Sequence, residues 1–166
     1  MELIKPNCDM GKGFFAIGIE NPKTEENIGT LIRSAKQFGA SFVFTIGNRY
    51  KKQISAVKLD EKLPILNFKD VVDFKKCVGD DIHISLIELT DEAISLQKFI
   101  HPKNCIYILG SEDNGISKEL LDLANTSIII EGNYSLNVAV AGSIVMYNRY
   151  NYFTRENIKT SKENNK

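Results

Sequence analysis

At 166 residues, 43% of them hydrophobic, the chain can bury one core but not two of ordinary size. No apolar run approaches the roughly 20 residues of a membrane helix, and residues 1–5 lack the apolar centre of a secretory signal, so a single cytoplasmic domain with no membrane partner is expected over 1–153. The formal net charge of zero hides a segregation, because 27–59 holds six basic residues and no acid while 60–131 holds fourteen acids against seven bases, leaving a local patch able to attract phosphates.

The first apolar run, 14–20 (FFAIGIE), is bounded by Gly13 and Asn21-Pro22 and reads as a buried strand. Asn27 can cap the helix that follows, whose apolar positions Ile28, Leu31, Ile32, Ala35 and Phe38 recur at helical spacing until Gly39 ends it. A strand over 41–46 leads to the basic loop 47–52. Next come a short strand near 64–66 and an amphipathic helix over 69–78 with Val71, Val72, Phe74 and Cys77 turned inward. Strands at 82–89 and 105–109 flank a turn or short helix over 91–99. A helix over 117–124, a strand over 127–130 and a helix over 137–152 complete the order, and the polar stretch 154–166 is expected to be a disordered tail.

Strands alternating with helices predict an α/β fold, a mostly parallel sheet with helices on both faces. Ligands in such sheets sit beyond the carboxyl ends of strands. Three segments there are candidates: Asn21-Pro22 leading through Asn27-Ile28-Gly29 to Arg33 and Leu109-Gly110-Ser111-Glu112-Asp113-Asn114-Gly115, which both carry Gly, Asn and a charged residue, and Ser135-Leu136-Asn137-Val138-Ala139-Val140-Ala141, a polar opening to a helix of small apolar residues. Each lets backbone and side chain approach a ligand together. Taken singly they have plainer readings. Arg33 is compatible with a surface pair to Glu26, Glu112 with a helix cap, and Ser135 with Asn137 as an ordinary capping pair. Arg49, Tyr50, Lys51 and Lys52 combine phosphate-seeking charge with a stacking ring and are candidate RNA contacts, or a solvated loop. Cys8, Cys77 and Cys105 are odd in number and widely spaced, which suits buried thiols better than a disulfide framework. Neither His83 nor His101 has a partner at zinc-binding spacing, so no metal is expected.

Taken in order, the three segments resemble the motifs of the SpoU, or TrmH, branch of the SPOUT RNA methyltransferases: Asn, Asn-x-Gly, Arg and Phe-Gly within 21–39, Leu-Gly-x-Glu-x-x-Gly at 109–115, and Ser-Leu-Asn-Val-x-x-Ala at 135–141. The resemblance implies a C-terminal trefoil knot, among the rare exceptions to unknotted topology. It also implies S-adenosyl-L-methionine as methyl donor, an RNA ribose 2′-hydroxyl as acceptor, and a homodimer with its site near the subunit interface. Carried over by motif position, Arg33, Asn27, Glu112, Ser135 and Asn137 would be catalytic, while Leu109, Gly110, Ile130, Ser135 and Leu136 would enclose the cofactor. The family's Ile-Pro-Met stretch is absent, replaced by Ile130-Glu131-Gly132-Asn133.

Methyl transfer from a sulfonium gives a neutral thioether, so the difficulty lies with the protonated hydroxyl. A guanidinium stays protonated below about pH 12. Arg33 therefore suits charge stabilisation, although the family analogy assigns it proton acceptance. By the same resemblance, the chain is expected to be close to the family's minimal catalytic domain, which implies tRNA over rRNA as substrate. The competing readings are a noncatalytic RNA-binding relative and an unrelated nucleotide-binding α/β enzyme, the latter disfavoured because no glycine fingerprint follows the first strand.

Overall fold

In the computed structural model the described residues are 13–48 and 63–163, with side chains described to 155. Seven strands form one sheet in the order β3-β2-β1-β6-β4-β7-β5, where β1 is Phe15–Glu20, β2 Phe42–Ile46, β3 Ile65–Phe68, β4 His83–Ile87, β5 Ile94–Ser95, β6 Cys105–Leu109 and β7 Thr126–Ile129. Every pairing is parallel. The helices are α1 (Glu25–Phe38), α2 (Val71–Cys77), α3 (Lys118–Leu123) and α4 (Val138–Glu163).

The two-residue period of the strands sorts the core. Phe15, Ile17 and Ile19 of β1, with Cys105, Tyr107 and Leu109 of β6, face α1 and α4, whereas Ala16, Ile106 and Ile108 point to the side covered by α2 and α3. On that second side Phe44 lies over Gly18, where an added Cβ would meet its ring at 2.4 Å. The ring then stacks on Phe74 at 5.2 Å. Phe74 is fully buried, a burial that contributes about 2–3 kcal/mol.

Several local expectations need correcting. Asn27 does not cap α1; Thr24 does, accepting from the Asn27 N–H at 3.4 Å, because Glu25 and Glu26 already lie in the helical first turn. The 91–99 segment contains strand β5, whose pairing of Ile94 with Ile128 is too short to leave a periodic signature. In α2 only Phe74 is fully inward, while Val72 and Cys77 are exposed, so the buried-thiol expectation fails for Cys77 and holds for Cys105. Cys8 lies outside the described residues. Helix α4 runs on to Glu163, where a helix ending at 152 was expected because the apolar spacing stops there; residues 164–166 lie outside the described residues.

Arg149, 2% exposed, fastens α4 to the start of β6. Its guanidinium donates to the carbonyls of Pro102 at 2.6 Å and Lys103 at 2.7 Å and lies 4.6 Å from the centre of the Phe153 ring. Beside it, buried His101 bonds Tyr107 Oη at 2.6 Å and Asn148 Oδ1 at 2.8 Å. Burial, reinforced by the Arg149 charge, lowers the His101 pKa to about 4, against the favourable bond to Asn148.

The unfolded chain, with its histidines near pH 6.5, binds more protons than the folded one between about pH 4 and 6.5. Stability therefore rises with pH through that window. We expect acidification from pH 7 to 5 to remove about 2 kcal/mol through His101, with partly buried His83, also lowered by burial, acting in the same direction. Urea unfolding of wild type and His101→Gln at both pH values checks this; a variant with the same acid sensitivity would remove His101 as its source.

Candidate active site at the carboxyl edge of the sheet

Because all strands are parallel, β1, β2, β4, β6 and β7 release their following segments along one edge. At the end of β1, Asn21 takes φ 47, a left-handed conformation that asparagine tolerates. Its N–H bonds the Ile46 carbonyl at 2.7 Å, and its amide fills the space a side chain at Gly47 would need. Asn21 thus shapes the turn into α1. Glu20, the last residue of β1 and 4% exposed, accepts from the Ser117 N–H at 2.7 Å. That carboxylate ties the start of α3, just after the second motif, to the end of β1. Sequence reasoning missed it, although a lone acid closing an apolar strand was the available signal.

After β6 the chain reverses in a tight turn closed by paired backbone bonds between Ser111 and Gly115, at 2.9 and 3.2 Å. An added Cβ on Gly110 would lie 2.3 Å from the Gly115 carbonyl carbon, so only glycine fits beneath this turn. The turn presents Glu112. Across from it, Asn137 caps α4 by accepting the N–H groups of Ala139 at 2.9 Å and Val140 at 3.3 Å.

With its oxygen committed to the helix, Asn137 can use only its amide nitrogen elsewhere. That nitrogen donates to Asn27 Oδ1 at 2.9 Å and approaches Glu112 Oε1 at 3.5 Å. Asn27, 9% exposed, in turn donates through Nδ2 to Glu112 Oε1. Donation therefore runs one way, from the α4 backbone through two asparagines to a carboxylate that can only accept when ionised. Residues 85 and 110 positions apart meet in this cluster.

Helix α4 also comes close to α1. A Cβ on Gly142 would meet Leu31 Cδ1 at 2.5 Å, and the Ser34 and Ser143 hydroxyls bond at 2.7 Å.

The other motif residues divide. Arg33 lies on the exposed side of α1. Leu109 is a core residue packed beneath Gly142. Ile130, Ser135 and Leu136 line a groove of about 370 Å³ with Ile87, Glu88 and Ile128 among its other walls, a size within the roughly 300–1,000 Å³ common for small-molecule sites. Glu88 was not anticipated from the sequence. Arg49, Tyr50, Lys51 and Lys52 lie outside the described residues. Among the described residues no group of His, Cys, Asp and Glu could hold a metal ion, and no helix is long and apolar enough to cross a membrane.

Residues 15–147 match the SpoU rRNA Methylase family, a span that includes all three motif segments of the cluster. The chain belongs to that family. Among its curated SpoU relatives is the tRNA (guanosine(18)-2′-O)-methyltransferase of Escherichia coli K12, 26% identical over 136 residues, which cover 78% of this chain and 59% of that protein. The chain thus spans somewhat over half the length of that relative. Its fold is similar to that of the AdoMet-bound rRNA methyltransferase of Sinorhizobium meliloti, with a TM-score of 0.74 at 19% identity, covering 84% of this chain and 57% of the other. A structure concerned with 2-OH methylation of C/U34 on tRNA gives 0.75 at 18% identity, over 86% of this chain and 98% of that one. This SpoU chain therefore has the parallel sheet and covering helices expected of it.

If the asparagine cluster acts as a unit, Asn27→Ala and Asn137→Ala are coupled. Each should cost about 1–2 kcal/mol, and the double variant should cost less than their sum by about 1 kcal/mol. Urea unfolding of the four proteins measures the coupling, and strict additivity would contradict it.

Proposed function

We propose that this SpoU-family chain transfers a methyl group from S-adenosyl-L-methionine to a ribose 2′-hydroxyl of RNA, with tRNA favoured over rRNA. The observation that carries the reading is the meeting of Asn27, Glu112 and Asn137 in one directed hydrogen-bond run at the carboxyl edge of the sheet. The tRNA preference draws on the curated tRNA relatives and on the nearly complete coverage of the C/U34-related structure.

The groove fits the cofactor in size and in its mixture of apolar walls with Ser135 and Asn133. Ile130, Ser135 and Leu136 would hold it; Leu109 and Gly110, expected to enclose it as well, are not among the residues lining the groove. When bound, the cofactor supplies a methyl group on a positively charged sulfur that departs as a neutral thioether. The chain's own task is to orient the ribose hydroxyl and stabilise its oxygen as the proton leaves. Arg33 takes that electrostatic role, since a guanidinium is a delocalised cation suited to holding a forming oxyanion; proton acceptance by Arg33 is the competing role. Asn27, Glu112 and Asn137 fix the three loops relative to one another, and Ser135 offers a hydroxyl at the groove.

The same reading carries a trefoil-knotted C-terminal part, a cytoplasmic location and a homodimer. In favour of the dimer, Leu136, Val140, Ile144 and Tyr147 are 45%, 43%, 36% and 54% exposed. They recur at three- and four-residue spacing and form an apolar stripe suited to a second copy of the chain. Arg49, Tyr50, Lys51 and Lys52 are assigned to RNA contact through phosphate charge and base stacking.

Mapping ribose methylation across total RNA from cells with and without the gene tests the activity. We expect one lost tRNA position; an unchanged map together with no cofactor binding by calorimetry would favour a noncatalytic RNA-binding role. For Arg33→Lys, which keeps charge but loses the planar fork, turnover should fall at least about tenfold with cofactor affinity retained. Near-normal turnover would take Arg33 out of the mechanism.

A further inference from the structure

We propose that Glu88 recognises the vicinal ribose hydroxyls of the cofactor's adenosine and makes the groove selective for a ribonucleoside. The assignment rests on the cofactor reading above and gives a role to a residue outside all three motif segments.

Glu88 follows β4 directly, and its N–H bonds the Ile128 carbonyl at 3.1 Å, so the carboxylate departs from a fixed backbone position between two parallel strands. One carboxylate oxygen, Oε1, accepts from the Leu89 N–H at 3.0 Å. The other, Oε2, lies 3.1 Å from where a Cβ at Gly115 would stand. Gly115 has φ +64 and no side chain, so the second-motif turn passes close to this oxygen without covering it. Substitution there would be strained and would crowd the carboxylate.

Among the described residues lining the groove, Glu88 is the single charged one. Its neighbours there include Ile87, Ile128, Ile130 and Leu136, with no cation. A carboxylate in such apolar surroundings gains most from ligand hydrogen-bond donors. The apolar walls suit the flat base of an adenosine, and a carboxylate set among them reaches the sugar joined to that base. Two adjacent hydroxyls match its acceptor directions, and carboxylates near strand ends hold ribose hydroxyls in the same manner in dinucleotide-binding sheets. The amino-acid end of the cofactor must instead lead away with the sulfonium, toward the RNA acceptor.

Calorimetry with S-adenosylhomocysteine and with 5′-methylthioadenosine, which lacks the amino-acid end, separates these roles in the full chain. Glu88→Gln should weaken both ligands by a similar factor, about tenfold. Weakening of S-adenosylhomocysteine alone would assign the carboxylate to the ammonium and overturn the proposal, as would unchanged binding of both. A comparison free of any substitution uses methylthioadenosine without its 2′- and 3′-hydroxyls on the wild-type chain, where a loss of about tenfold or more is expected. Equal binding of the two nucleosides would overturn the proposal. If wild type binds S-adenosylhomocysteine but these comparisons fail, only the Glu88 assignment falls; if wild type binds neither ligand, the cofactor reading falls and takes the assignment with it.

Discussion

The arrangement of the site depends on the direction in which hydrogen bonds can run. Helix α4 begins with unpaired N–H groups, which draw the oxygen of Asn137 and leave its nitrogen to act as donor. Asn27 can receive that donor and pass a donor of its own onward. Only an acceptor can end the run, and Glu112 ends it. The residue types follow from their places: two amides that both give and receive, then a carboxyl oxygen that receives. A leucine of matching size at position 27 would fill the volume but remove both links of the run, leaving Asn137 and Glu112 joined only by their 3.5 Å approach.

Positions so distant in the chain can meet because the sheet is parallel. Parallel strands deliver their following loops to one edge, and β1, β6 and β4 lie side by side with β7 next in order. Small adjustments then set the loops to within hydrogen-bond reach. Gly110 lets the Ser111–Gly115 turn settle against the strand end, Glu20 holds the start of α3, and Gly142 lets α4 come close to α1. The large interior of β1 and β6 thus supplies rigidity, while a few glycines and one buried acid supply aim.

Much of this was legible in the sequence. The apolar runs gave the major strands, and the helical spacing of Ile28, Leu31, Ile32 and Ala35 gave α1 and its inward face. Asn27 was recognised as important but for the wrong local reason, since an asparagine near a helix start is chemically able to cap it; its neighbour Thr24 took the cap and left the Asn27 amide to the cluster. Strand β5 was hidden because two residues carry no period. Glu20 and Glu88 escaped notice because their significance comes from partners on other elements. Burial of Arg149 was likewise unreadable, since its carbonyl partners precede β6 and no charge pattern points to them.

Helix α4 is secured at two separate stations. Asn137 binds its beginning to α1 and the Glu112 turn, while Arg149, some 18 Å farther along at 1.5 Å per residue, locks it to Pro102 and Lys103. A rod pinned twice resists swinging and sliding. Admission of a small molecule beside it therefore falls to the connecting piece from Ile130 to Leu136, where the exposed side chains of Tyr134 and Leu136 can move without unpacking the interior.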